Sequence, residues 1–195
     1  MTKDSPESPK EILLKLWVKS APDSVGQYLL YLEYEYSEDA ESQEKRLPIP
    51  LDKAGALKWA QEVMSAVARA EYDAALVAQY TAMNTPLDDI ASVVRDVRAD
   101  RAPLSCLPPD IELDPSVTAT GQPYLSLRSG GKVIGEWTMA DGRQHVLDMM
   151  EAVVVTELDG QYLGYRTETV GLDGTLARNV VAGLYEGREQ RLRTD

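Results

Sequence analysis

The sequence predicts an α+β protein of two tandem β-β-β-α-α repeats, related by a pseudo-two-fold, with antiparallel sheets packed against helices. Three observations lead there. The block Met64–Asp73 recurs as Met150–Asp159, 86 positions later, with Met, Ala, Val, Glu and Asp in register. The same offset pairs Ala54 with Ala140, Glu62 with Asp148, Thr81 with Thr167, Ala91 with Ala177 and Val94 with Val180. The order of apolar patterns also repeats, period-two stretches giving way to long runs with spacings of three and four. A period this long does not suit a solenoid; it suits two copies of one module packed as the subunits of a homodimer would be.

The first repeat, residues 11–101, opens with Glu11–Lys19. Ile12, Leu14, Leu16 and Val18 share one face of this strand; Leu13, Lys15, Trp17 and Lys19 share the other. In Tyr28–Tyr36 the face of Tyr28, Leu30, Leu32, Tyr34 and Tyr36 opposes Leu29, Tyr31, Glu33 and Glu35. The charged stretch Ser37–Glu44 reads as a hairpin loop. Lys45–Pro50 carries two prolines without ladder donors, so it is an edge strand at best. Asp52 caps a helix whose apolar side is Leu57, Ala60, Met64, Val67, Ala70 and Ala74, uninterrupted to about Met83. Asn84-Thr-Pro86 ends it. Leu87–Val97 begins a second helix, with acids at its start and Arg95, Arg98 and Arg101 toward its end.

Residues 102–109, with three prolines, form the linker to a second repeat over 110–187. Ile111–Thr118 and Pro123–Arg128 are strands, and Ser129-Gly130-Gly131 is a hairpin turn into the return strand Lys132–Met139. Asp141 is expected to cap the next helix, with Val146, Met149, Met150 and Val153 on its apolar side. Gly160 and Gly164 weaken its distal end, and Asp173–Gly187 forms the last helix. Residues 1–10 read as a disordered leader with no apolar signal segment, and 188–195 as a frayed tail.

The chain of 195 residues has a net charge of −12: residues 1–105 hold 12 basic and 18 acidic side chains, 106–195 hold 8 and 14, giving −6 each. An acidity spread so evenly repels phosphate backbones, which disfavours nucleic acid and favours basic partners. There is no Phe, but ten Tyr and three Trp supply aromatic surface with polar handles. The single Cys106 excludes an intramolecular disulfide framework and points to a cytoplasmic location. No apolar run reaches the roughly 18–20 residues of a membrane span.

Little of the chemistry of an enzyme is present. The one histidine, His145, falls where the first repeat has Trp59, which marks a packing or surface position. One His and one Cys assemble no catalytic pair with a supporting motif and no zinc site. Glu71/Asp73 and Glu157/Asp159 recur in both copies, but side chains two apart on a helix diverge, so neither pair chelates an ion alone. Helix-surface solubility, or a contact shared between the repeats, accounts for them. Glycine-rich phosphate loops are missing. The expectation is a non-enzyme without cofactor or metal.

One surface stands out. Leu13, Trp17, Leu29 and Tyr31, flanked by Lys15 and Lys19, form the candidate partner-binding face, although the same residues would also serve as cover for a helix or as a seam between repeats. Three function classes follow. The first is an acidic interaction protein: an adaptor, inhibitor or chaperone-like partner acting through protein–protein contacts. The second is a mimic of nucleic-acid charge, of the anti-restriction or anti-CRISPR kind. The third is a single-strand-binding module of repeated sheet-plus-helix units, in which lysine-edged aromatics stack bases. A protein partner, basic by charge, is the favoured one, and a homo-oligomer is compatible with the pattern.

Overall fold

The computed structural model describes residues 12–22, 27–37, 45–104, 111–118 and 120–192, without the side chains of 12–15, 17, 28, 33–37, 45–48 and 185–192. Cys106 and most of the Ser37–Glu44 and 102–109 segments lie outside the described residues.

Among the described residues, two antiparallel three-stranded sheets and four α-helices make up the α+β fold. Strands β1 (Ile12–Pro22), β2 (Tyr28–Ser37) and β3 (Lys45–Leu51) form the first sheet in that order. The prolines of β3 thus sit on an edge strand, where a missing donor is tolerated. Helices α1 (Lys53–Ala82) and α2 (Leu87–Ala99) follow. The second sheet is β4 (Ile111–Val117), β5 (Pro123–Ser129) and β6 (Lys132–Trp137), succeeded by α3 (Met139–Gly164), a π-helical turn Tyr165–Thr169 and α4 (Gly174–Leu192). Gly130 and Gly131 join β5 to β6 at φ of 54° and 78°, a backbone that L side chains rarely adopt.

The helix starts follow capping chemistry, with one correction. The Asp52 carboxylate accepts from the Gly55 amide at 2.6 Å and opens α1 as expected. Asp141 does not cap α3. Thr138 does: its hydroxyl accepts from the Asp141 amide at 3.2 Å while the Asp141 carboxylate accepts from the Thr138 amide at 2.9 Å. This reciprocal box satisfies two orphan amides at once, so the helix begins at Met139, and β6 stops at Trp137. Asp173 accepts from the Thr175 and Leu176 amides at the start of α4, and these bonds, Thr175 first, hold its carboxyl below the usual range. The backbone of α4 continues through Arg188 to Leu192.

Helices α1 and α3 run antiparallel against each other. Lys53, at the start of α1, pairs with Glu157 late in α3, and Arg143, early in α3, pairs with Glu71 of α1. Each lies mainly over the sheet of the other half, α1 on β4 and β5 and α3 on β1 and β2. One hydrophobic core results, in which Leu30, Leu32 and Leu51 join Ile111, Leu125 and Leu127. Small residues let the helices approach closely: Ala56, Ala66 and Ala70 of α1 are fully buried, and a Cβ on Gly142 of α3 would stand 2.8 Å from Val67 Cγ2.

The buried stripe of α1 is turned from the one expected. Trp59, Ala60, Val63, Val67 and Ala70 face inward, whereas Leu57 and Met64 are 42% and 41% exposed. Met150 of α3, also expected inside, is 51% exposed, while Val146, Met149 and Val153 are buried. Ala-rich helices offer two stripes of equal spacing, and the close approach of α1 to α3 selects the one that carries Ala56, Ala66 and Ala70.

Candidate functional site

The sheet face singled out in the sequence is only partly described. Register pairs Lys15 with Glu35, Trp17 with Glu33, Lys19 with Tyr31 and Ala21 with Leu29. A shift between Leu13 and Lys15 pairs Leu13 with Tyr36, so the strand alternation linking Leu13 to Trp17 is broken. Lys19 is exposed, and Leu29 and Tyr31 are half-buried, alternating with Leu30 and Leu32 of the core. The side chains of Leu13, Lys15 and Trp17 lie outside the described residues.

Trp59 and His145 meet in the core. The indole Nε1–H donates to His145 Nε2 at 2.9 Å, and the Trp137 ring centroid lies 4.9 Å from that of His145. Burial lowers the imidazole pKa from 6.5 to about 4, against an opposing pull from Asp148. Since Nε2 accepts, the neutral ring carries its proton on Nδ1. This histidine is a packing residue with a satisfied acceptor, and only 5% of it reaches solvent.

The recurring carboxylates divide by direction, as their spacing requires. Glu71 and Glu157 point outward and form the two ion pairs that tie α1 to α3. Asp73 and Asp159 point inward and are buried, which corrects a surface placement for them. Asp73 is fully enclosed, accepting from Arg98 Nε at 2.8 Å and Arg101 Nη2 at 2.6 Å. A buried carboxylate needs such cations to offset its lost hydration. The arginines near the end of α2 therefore clamp α2 to α1. Among the described residues no three His, Cys, Asp or Glu side chains converge as a metal site, and no described helix is long and apolar enough to cross a membrane.

The outer face of the α1/α3 pair carries one exposed apolar patch. Leu57 and Met64 of α1 and Leu147, Met150 and Val154 of α3 are exposed. At 100° per residue, each lies within about 40° of an ion-pairing residue on its own helix. They are bracketed along the helices by Lys53–Glu157 at one end and Arg143–Glu71 at the other. Such grouping of large apolar side chains is unusual on a solvated face and marks contact surfaces. Sequence reasoning missed it because Leu57, Met64 and Met150 were assigned inward. The signal was the competing stripe through Trp59, Val63 and Ala70.

Compared with models of protein families, with curated proteins and with solved structures, the chain matches none.

Proposed function

We propose that this chain is a non-enzymatic acidic interaction protein, built of two β-β-β-α-α units about a pseudo-two-fold and acting through protein–protein contacts. The apolar patch of Leu57, Met64, Leu147, Met150 and Val154 carries the reading, because a chain of net charge −12 that exposes such a group gains from covering it. The charge favours a basic partner over a second copy, which would bring another −12. The outer face of β1 and β2, with Lys19, Leu29 and Tyr31, is a second surface for the same purpose.

The relation between the units draws support from three contacts. Trp59 and His145, equivalent at the offset of 86, touch each other, as residues near a two-fold axis do. Glu71 and Glu157, equivalent at the same offset, each pair with a base near the start of the opposite helix. Each long helix covers the other unit's sheet.

The test is affinity capture from the native cell with the wild type and a Met64→Glu/Met150→Glu variant. A partner retained by the first and lost by the second supports the patch; partners retained equally by both overturn it. A captured DNA-binding protein released by salt would support the charge-mimic reading. Quenching of Trp17 by an oligonucleotide at low salt would support single-strand binding.

A further inference from the structure

An open cleft of about 500 Å³ lies between α2, the distal half of α1 and the end of β4. Its walls are mainly apolar, from Val77, Ile90, Ala91, Val94 and Val117. Arg95 and Arg98 stand on the same wall near the end of α2, with Asp88 and Leu87 at the opposite end of that helix. Arg98 is also shared with a smaller pocket of about 150 Å³, lined by Arg69, Arg101 and Asp114. Asp114 is held by Arg128, whose Nε is buried without a hydrogen-bond partner.

This concentration of cations is out of keeping with the whole chain. Arg69, Arg98, Arg101 and Arg128 gather around Asp73 and Asp114, in a protein of net charge −12. Asp73 occupies Arg98 through Nε, and the Arg98 side chain remains 37% exposed. Arg95 is exposed and makes no ion pair among the described residues. An apolar cleft within the usual roughly 300–1,000 Å³ of ligand sites, with a few convergent polar groups at one end, has the composition of a binding site. Guanidinium forks at that end match the oxygens of a carboxylate or phosphate.

We infer that this cleft binds a single-chain anionic amphiphile, its alkyl chain along Leu87, Ala91 and Val77 and its anionic head at Arg95 and Arg98. The alkyl chain replaces water on the exposed parts of these walls, and the head gives Arg95 an anion while sharing the exposed face of Arg98. Charge complementarity commits the site to an anion and excludes a cationic or neutral amphiphile as the preferred occupant.

Calorimetric titration of the full chain with decyl phosphate, below its micellar range, tests the inference alongside decanol and inorganic phosphate. The expected result is one saturable site, with inorganic phosphate and decanol each bound at least about tenfold more weakly. Arg95→Glu weakens decyl phosphate by about tenfold or more and leaves decanol unchanged. Ala91→Trp, which fills the cleft from an exposed position, abolishes binding of both while circular dichroism shows an intact fold. Absence of binding, or binding indifferent to both substitutions, overturns the inference. So does self-association that Ala91→Trp abolishes, because a second copy would then be the occupant. The surface patch is not involved, so Met64→Glu/Met150→Glu leaves the titration unchanged.

Discussion

Trp59 donates its indole N–H to Nε2 of His145 at 2.9 Å, and the two residues stand 86 positions apart, the interval at which the sequence block recurs. The bond joins α1 to α3 at the place where both halves of the core meet. It also fixes the histidine as an acceptor, which protonation would destroy.

Acid therefore acts on this bond. The folded-state pKa of His145, about 4, lies below its unfolded value of 6.5. The associated stability is fully present above about pH 6.5 and is lost as the pH falls toward 4. At roughly 1.4 kcal/mol per unit, the loss across that window is about 3 kcal/mol. Urea unfolding at pH 7 and pH 4.5 measures it, and His145→Leu should flatten the difference, lowering stability at pH 7 by leaving the Trp59 N–H unpaired. Asp173 acts in a separate, lower window: its depressed carboxyl contributes above pH 3.8 and ceases to as the pH drops further.

Asp73 is the most deeply buried carboxylate among the described residues. Asp73→Ala leaves Arg98 and Arg101 without their anion, and because both reach solvent the cost should be about 2 kcal/mol, below the ~3–5 of a fully enclosed pair. Glu71→Gln and Glu157→Gln break exposed pairs and should each change stability by no more than about 0.5 kcal/mol. Equal effects from the three substitutions would contradict this ordering.

Two glycines of α3 should respond oppositely to alanine. Gly160 has open space around it, so Gly160→Ala should stabilise the helix by about 0.5–1 kcal/mol. At Gly142 the new methyl would meet Val67 Cγ2 at 2.8 Å and Leu125 Cδ1 at 3.3 Å. Overpacking there should cost about 1–3 kcal/mol despite the gain in helix propensity. Paired thermal melts decide it; a stabilised Gly142→Ala protein would mean that α1 and α3 can part.

Thr138→Ala removes the hydroxyl half of the capping box and should cost about 1 kcal/mol, read as a shift in the urea midpoint. Asp52→Ala should do the same at α1.

The elements themselves were legible because strand alternation and helix spacing are local. Leu30 and Leu32 face the core as their alternation predicts, and Gly130-Gly131 turns the chain where two glycines allow it. The rotation of α1 was not legible. Leu57, Ala60, Met64 and Val67 keep helical spacing as well as Trp59, Val63, Val67 and Ala70 do, and only the neighbouring helix discriminates between them. The burial of Asp73 escaped for a related reason: an aspartate reads as surface until Arg98 and Arg101, 25 and 28 positions on, are seen to enclose it. Even the offset of 86 could not show that Trp59 and His145 touch, since that depends on how the halves dock.

The crossing of each long helix onto the other half's sheet has one more consequence. Neither half holds a complete interior, because α1 without β4 and β5, or α3 without β1 and β2, presents a bare apolar flank. A chain severed between Leu104 and Ile111 should thus yield two pieces that are each unstructured in isolation but regain native circular dichroism when mixed, a ready-made split protein whose reassembly reports on the proximity of whatever its fragments are fused to.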